Sequence, residues 1–369
     1  MRDFRRVKRV VVKIGTSVLT EPDGSLDRKY MKRIAKQIHG LTRQGLEVVI
    51  VSSGAIGSGV KELGLKTVPR DVPTKQGAAA VGQSILIEAW RKALNEFGLK
   101  VAQILLTYEN FSNRRTYLNL RNSMEILTKH RTIPIINEND PISVHEIEET
   151  FGDNDKLSAL VASKIDAELL FLLTDVDGLY DRNPRHKDAR LITEVDKITA
   201  LVEQVGGDPG SWRSKGGMKT KIEAAKITMK SGCDMIIANA HETNVLSRII
   251  GGEMLGTCFN ASKSQYTNKE RWIRLARKYG IIEVDEGANE ALLRSGSLLP
   301  SGIVKVKGDF DSGVVVSIVH KDREVAKGIV EYSSKELEKI KGEHSNQIEK
   351  ILGYRNHESV IRRENMVVT

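Results

Sequence analysis

Along the first two-thirds of the chain, short unbroken apolar runs alternate with longer stretches of three- and four-residue periodicity. The runs are VKRVVVKIG (Val7–Gly15), LEVVIVSSG (Leu46–Gly54), KVAQILLT (Lys100–Thr107), TIPIINEND (Thr132–Asp140), ELLFLLTDVDG (Glu168–Gly178) and DMIIANA (Asp234–Ala240). Their β-branched content and lack of strict alternation predict strands buried on both faces, as in a parallel sheet. Between the first two, Tyr30, Ile34, Ile38 and Leu41 predict one apolar helical stripe, with Gly45 placed as its C-terminal cap. Gln76–Phe97, Lys156–Ile165 and Met218–Lys230 are further predicted helices. Strands alternating with helices predict a doubly wound α/β fold whose ligands bind at the carboxyl ends of the strands. The polar clusters SSGA, NEND and TDVDG all fall at those ends.

After roughly Gly256 the pattern changes. A basic helical stretch, Lys269–Tyr279, leads into short strand-like runs: GIIEVD, GIVKVKGDF, SGVVVSIVH and VAKGIVEY. Close glycine punctuation predicts a small β-barrel or sandwich, closed by helices in SSKELEKIKG and SNQIEKILG. Two domains in 369 residues are in keeping with ordinary domain sizes.

Composition narrows the picture only modestly. Hydrophobic content of 40% with 28% charged residues is ordinary for a globular protein. No apolar run approaches the ~20 residues of a membrane span, and the basic N-terminus lacks the long apolar region of a secretory signal. Cys233 and Cys258 stand without nearby Cys or His ligand spacing, which argues against a disulfide framework or zinc site and fits a reducing cytoplasm. The net charge of +9 is spread among intermixed charges and is a weak pointer to anionic ligands.

The chemistry concentrates in two neighbouring segments, INENDP (Ile136–Pro141) and GDNDKLSAL (Gly152–Leu160). Short carboxylates and amides at this density suit a site that grips a small zwitterion, carboxylates holding its ammonium and amides its carboxylate. The plainer reading is a polar loop with an N-cap among Asp153–Asp155. No G-x-x-x-x-G-K-[ST] loop occurs, and Gly54, Gly57 and Gly59 reverse the dinucleotide spacing. Other glycine turns do meet helix starts: Gly15 after Lys13, Gly54 after Ser52 and Ser53, and Gly216 and Gly217 in KGGMKTK (Lys215–Lys221). Lys13 interrupts an apolar strand, and with Lys221 it could converge on one phosphoryl group, which needs cations and positioning above all.

VVKIGTSVL, IVSSGAIGSG, AAVGQSILIEAW, PIINENDPIS, FGDNDKLSALVA, LLTDVDGLYDRNP and GGMKTKIEAA, in this order, resemble the signature blocks of the amino acid kinase family, specifically its glutamate-phosphorylating branch. VDEGANEAL, SGSLLPSGI and ILGY resemble the PUA module appended in that branch. The resemblance implies an αβα sandwich with a mainly parallel open sheet at residues 1–262, a linker helix at 263–278 and a small β-barrel-like PUA domain at 279–369. It implies transfer of the γ-phosphate of ATP to the side-chain carboxylate of L-glutamate, giving the acyl phosphate that opens proline biosynthesis.

By resemblance, Lys13 and Lys221 flank the moving phosphoryl group and Asp155 holds them apart. Ser53, Gly54, Asp140 and Asn154 bind glutamate, with Asn137 and Asp153 in the same pocket. Thr174 and Asp175 line the nucleotide site, and Lys215, Gly216, Gly217, Met218, Lys219, Thr220 and Lys221 cover its phosphates. Mg²⁺ is held mainly through ATP oxygens and water, with no protein residue expected as a metal ligand. Lys215, after SWRS, departs from the small residue usual there. Proline as feedback inhibitor, a homodimer or homotetramer, and a glutamyl phosphate reductase as partner are further family expectations. Two rivals stand beside this reading: a sister enzyme acting on aspartate, N-acetylglutamate, carbamate or UMP, and an RNA-binding PUA protein with an inactive kinase half. The NEND and GDND blocks count against the first, and retention of Lys13, Asp155 and Lys221 against the second.

Overall fold

A computed structural model describes residues 1–107, 109–112, 114–142, 154–184, 186–200, 202–203, 217–261, 270, 273, 276 and 278–368. The chain divides into two compact units, Met1–Lys263 and Ser264–Thr369. In the first, β1 (Arg9–Ile14), β2 (Glu47–Ser52), β3 (Lys100–Leu106), β4 (Thr132–Glu138), β5 (Leu169–Thr174) and β9 (Asp234–Asn239) coincide with the six apolar runs. Three two-residue strands intervene: β6 (Leu179–Tyr180), β7 (Leu191–Ile192) and β8 (Glu194–Val195). With β10 (Thr257–Phe259) they complete an eight-stranded sheet ordered β3–β4–β2–β1–β5–β9–β10–β8 and a separate β6–β7 ribbon. Every pairing in the large sheet is parallel except β9 with β10.

β1, β2, β4, β5 and β9 read as continuous apolar runs because each face of the sheet is covered there. β3, expected to be buried on both faces, lies at the sheet edge and is fully buried only at Leu106. On one face Val10, Val12 and Ile14 pack with Tyr30, Ile34, Ile38 and Leu41 of the helix Arg28–Arg43 and with Leu86 and Trp90 of α4 (Val72–Asn95). On the other, Val11 packs with Ala159 and Val161 of α7 (Asp155–Lys164) and Ala224 and Ala225 of α8 (Met218–Lys230). The helix Arg28–Arg43 ends as its glycine demands. Gly45 lies at φ +87°, Gly45 N–H donates to Thr42 O at 3.1 Å and Leu46 N–H to Leu41 O at 3.2 Å, a Schellman closure. α3 (Ala55–Glu62) begins at Gly54, whose φ of +103° only glycine adopts readily.

The second unit holds the mixed sheet β12–β11–β13–β14–β15, built from β11 (Ile281–Val284), β12 (Ile303–Lys307), β13 (Val315–His320), β14 (Arg323–Ile329) and β15 (Met366–Val368). A buried ion pair, Arg362 Nε to Glu331 Oε1 at 2.9 Å, and an Asn365 amide on the same oxygen at 3.0 Å join the chain leaving β14 to the chain entering β15. Ile273, in the stretch expected as a linker, is buried against Val315, Ile329 and Val367 of this unit. Most of that stretch lies outside the described residues.

Cys233 and Cys258 are free and buried. Burial pushes the Cys258 thiol from an ordinary value of 9.0 up to about 12, and raises Cys233 too. The unfolded chain therefore ionises its thiols first as pH rises. Stability is unaffected well below pH 9 and is lost through Cys258 between 9.0 and about 12, by at most ~1.4 kcal/mol per pH unit, with Cys233 acting in the same direction. Urea midpoints at pH 8 and pH 10 are expected to fall further for the parent than for Cys233→Ala/Cys258→Ala. Equal falls would show that the thiols do not contribute.

Candidate active site

β1 runs through the middle of the sheet, with Lys13 in register between Val51 of β2 and Leu172 of β5. Strand alternation aims Lys13 to the same face as Val11, toward α7 and α8. α7 begins with Asp155, whose side chain is wholly buried, and α8 carries Lys221 in its first turn. The three side chains meet there. Lys13 Nζ lies 2.7 Å from Asp155 Oδ1, and Lys221 Nζ 3.1 Å from Oδ2. The Thr220 hydroxyl sits 3.0 Å from Oδ2 and 2.9 Å from Gly217 O, with one proton to give between them.

One carboxylate thus holds an ammonium on each oxygen. Burying any one of these charges alone would be prohibitive, so the three are mutually dependent. Together they carry a formal +1, a natural counterpart for an anion. Lys13 Nζ lies alongside Gly15, where a Cβ would come within 3.5 Å of it.

Beside this bridge an amide network joins the ends of β2 and β4. The Asn154 side-chain amide faces Ser52 O at 2.8 Å, Asn137 Oδ1 at 2.8 Å and Ser53 Oγ at 3.1 Å, three acceptors for two hydrogens. Asn137 in turn donates to Gln83 Oε1 at 2.8 Å, and the Trp90 indole donates to Ser52 Oγ at 2.8 Å. Asn154 occupies the N-cap position of α7, yet its side chain makes no cap bond. Of the N-cap candidates Asp153–Asp155, Asn154 therefore serves the network and not the cap.

The remaining expected residues distribute as follows. Gly54 opens α3 directly after Ser53. Asp140 lies half-buried in the 3₁₀ turn Asp140–Ile142 that follows β4. Thr174, buried at the end of β5, donates to the carboxylate of exposed Asp175 at 3.0 Å. Gly217 caps α8, with Met218 half-buried and Lys219 exposed. Asp153, Lys215 and Gly216 lie outside the described residues.

Sequence reasoning missed Gln83 and Trp90 and met Ser52 only as the neighbour of a glycine turn, although a glutamine on the Ala78–Ala79–Gly82–Leu86 face was a readable signal. It also missed the group at the end of β9. There Asn239 donates to Asp177 at 2.9 Å and the Tyr180 hydroxyl donates to the same carboxylate at 3.0 Å.

The sequence profile of the amino acid kinase family matches residues 8–239, and that of the PUA domain residues 280–352. The chain belongs to the amino acid kinase family. Its full-length relatives are more particular. Glutamate 5-kinase of Methanosarcina acetivorans is 52% identical over 98% of this chain and 96% of its own length. That of Thermoanaerobacter pseudethanolicus is 48% identical over 98% and 97%. That of a Geobacter species is 47% identical over 99% and 98%.

Proposed function

We propose that this protein transfers the γ-phosphoryl group of ATP to the side-chain carboxylate of L-glutamate, forming L-glutamyl 5-phosphate and ADP. The observation that carries the reading is the buried Lys13–Asp155–Lys221 bridge at the carboxyl ends of the strands. Its kinship with full-length glutamate 5-kinases supports the choice of acceptor.

In the proposed reaction a glutamate γ-carboxylate oxygen attacks the terminal phosphorus, a new O–P bond forms, and the bond to the β,γ-bridging oxygen breaks. Negative charge spreads over the equatorial oxygens and onto the ADP leaving group. Lys13 and Lys221, set on opposite oxygens of Asp155, neutralise that charge from two sides. Asp155 is a positioning group: each of its oxygens is engaged by one ammonium.

Ser53, Gly54, Asn137, Asp140 and Asn154 would take the amino acid head, Asp140 supplying the charge for its ammonium. Asp153 belongs to the same proposed set. Thr174, Asp175 and the Lys215–Lys221 segment would take the nucleotide. Mg²⁺, which this reaction class uses, fits as an ion carried on phosphate oxygens and water. The carboxylate nearest the lysines is already engaged by both ammoniums.

The proposal includes the division into a catalytic domain at 1–262, a connecting helix at 263–278 and a PUA domain at 279–369. On family resemblance it also takes in feedback by proline, a homo-oligomer and a reductase that consumes the labile product. Among the described residues no helix is long and apolar enough to cross a membrane. A cytoplasmic setting is part of the proposal.

The test is hydroxamate formation from L-glutamate, ATP, Mg²⁺ and hydroxylamine, which traps an acyl phosphate. A glutamate-specific signal is expected, falling about 10²–10³-fold in Lys221→Ala, the usual cost of one preorganised donor. No signal with glutamate, or a signal only with aspartate, N-acetylglutamate, carbamate or UMP assayed by ADP release, would overturn it.

A further inference from the structure

The proposed chemistry uses one end of the sheet. At the opposite end, where β2 and β4 begin, there is a separate cavity of about 740 Å³. That is ample for a small organic ligand, for which pockets of about 300–1,000 Å³ are usual. None of Lys13, Asn137, Asn154, Asp155 or Lys221 lines it.

Its lining has a definite chemical character. Leu46 and Ile133 give an apolar floor, and His39 and Phe97 form one stacked wall, ring centroids 5.8 Å apart and 26° from parallel. Arg43 and Arg131 stand exposed at the lining.

The helices Arg28–Arg43, α4 and Arg114–Lys129 end here, and exposed carbonyls at such ends would ordinarily favour a cation. Here turn bonds already engage several of those carbonyls. Gly45 N–H donates to Thr42 O at 3.1 Å, Leu46 N–H to Leu41 O at 3.2 Å, Leu99 N–H to Leu94 O at 3.2 Å and Arg131 N–H to Thr128 O at 2.9 Å. Glu47, the acidic residue of the lining, is held by Arg9 Nε at 2.7 Å. The two lining guanidiniums therefore set the sign of the cavity.

We propose that this cavity is a second ligand site, taking a small organic anion with an aromatic or branched apolar body. The body lies on the Leu46–Ile133 floor against the His39–Phe97 wall. The acid group meets Arg43 and Arg131, whose planar forks suit carboxylate, sulfonate and phosphate alike. The inference stands independently of which acceptor the kinase site phosphorylates.

The full-length protein is to be titrated with anilinonaphthalene sulfonate, an aromatic anion whose fluorescence rises on apolar surfaces. Saturable one-to-one binding is expected, undisturbed by saturating ATP and glutamate and weakened by added salt. In Arg43→Glu/Arg131→Glu the affinity should fall about tenfold or more. In the control Lys66→Glu/Lys335→Glu, which changes net charge equally at exposed positions, it should hold. Arg43→Gln/Arg131→Gln, carrying no repulsive charge, repeats the comparison should the reversal disturb folding. Absence of saturable binding, displacement by ATP, or equal affinity in the rim variants and the control would overturn the proposal.

Discussion

Asp155→Asn is expected to destabilise the first unit by about 3–5 kcal/mol and to reduce hydroxamate formation by at least about a hundredfold. The carboxylate is wholly buried and carries Lys13 at 2.7 Å and Lys221 at 3.1 Å. An asparagine there keeps the shape but loses the charge, leaving two buried ammoniums to repel each other across a neutral amide. The midpoint of thermal unfolding should drop by roughly 10 °C. Stability and chemistry can be separated by a second variant, Lys13→Met/Asp155→Leu/Lys221→Met. Replacing a whole buried ionic group with apolar side chains of similar size is often neutral or stabilising. The triple variant should regain most of the lost stability while remaining inactive. If Asp155→Asn melts and turns over like the parent, the bridge is neither the structural nor the catalytic element described above.

The sequence made the central strands legible for a physical reason. β1, β2, β4, β5 and β9 are buried on both faces, so their apolar runs are continuous and cannot be mistaken for half-exposed loops. β6, β7 and β8 have two residues each, too few for any periodicity to register. β15 is a three-residue strand whose identity depends on pairing with β14.

The site divides in the same way. Lys13 was visible because a charged residue inside an apolar strand is out of place. Its meeting with Asp155 and Lys221 follows from how α7 and α8 pack on one face of the sheet. The glycine turns beside Lys13 and Lys221 pointed to a convergence of the two lysines, whereas Asp155 between them was anticipated only by family resemblance. Asn137 and Asn154 were visible as unusual polar density, whereas Trp90 reads in sequence as plain core until its indole is seen on Ser52. The glycine series was legible as a pattern but not as a purpose. Gly59 lets α3 cross α4 at close range.

That crossing yields the other large expected effect. A Cβ on Gly82 of α4 would lie 1.8 Å from Ala55 O and 2.5 Å from Gly59 N, both backbone atoms of α3. A Cβ on Gly59 would lie 1.7 Å from Ala78 O. Neither helix can yield by turning a side chain, so an added methyl must drive the helices apart. Gly82→Ala is therefore expected to cost about 3 kcal/mol, at the upper end for overpacking, despite the higher helix propensity of alanine. Gly77 on the same helix supplies the contrast, since nothing lies within 4 Å of its Cβ position. Gly77→Ala should be neutral or stabilise by up to about 1 kcal/mol. The displacement also reaches the site. α3 begins at Gly54, next to Ser53, while α4 carries Gln83 and Trp90, which hold Asn137 and Ser52. Wedging the helices apart pulls the Ser53 side of the pocket from the Asn137 side, so KM for glutamate should rise severalfold in Gly82→Ala and stay at the parent value in Gly77→Ala. Urea unfolding and glutamate saturation curves on the two variants decide the matter. Equal stabilities for Gly82→Ala and Gly77→Ala would mean that the close crossing does not exist in solution. A destabilised Gly82→Ala with unaltered KM would mean that α3 and α4 support the fold without setting the width of the pocket.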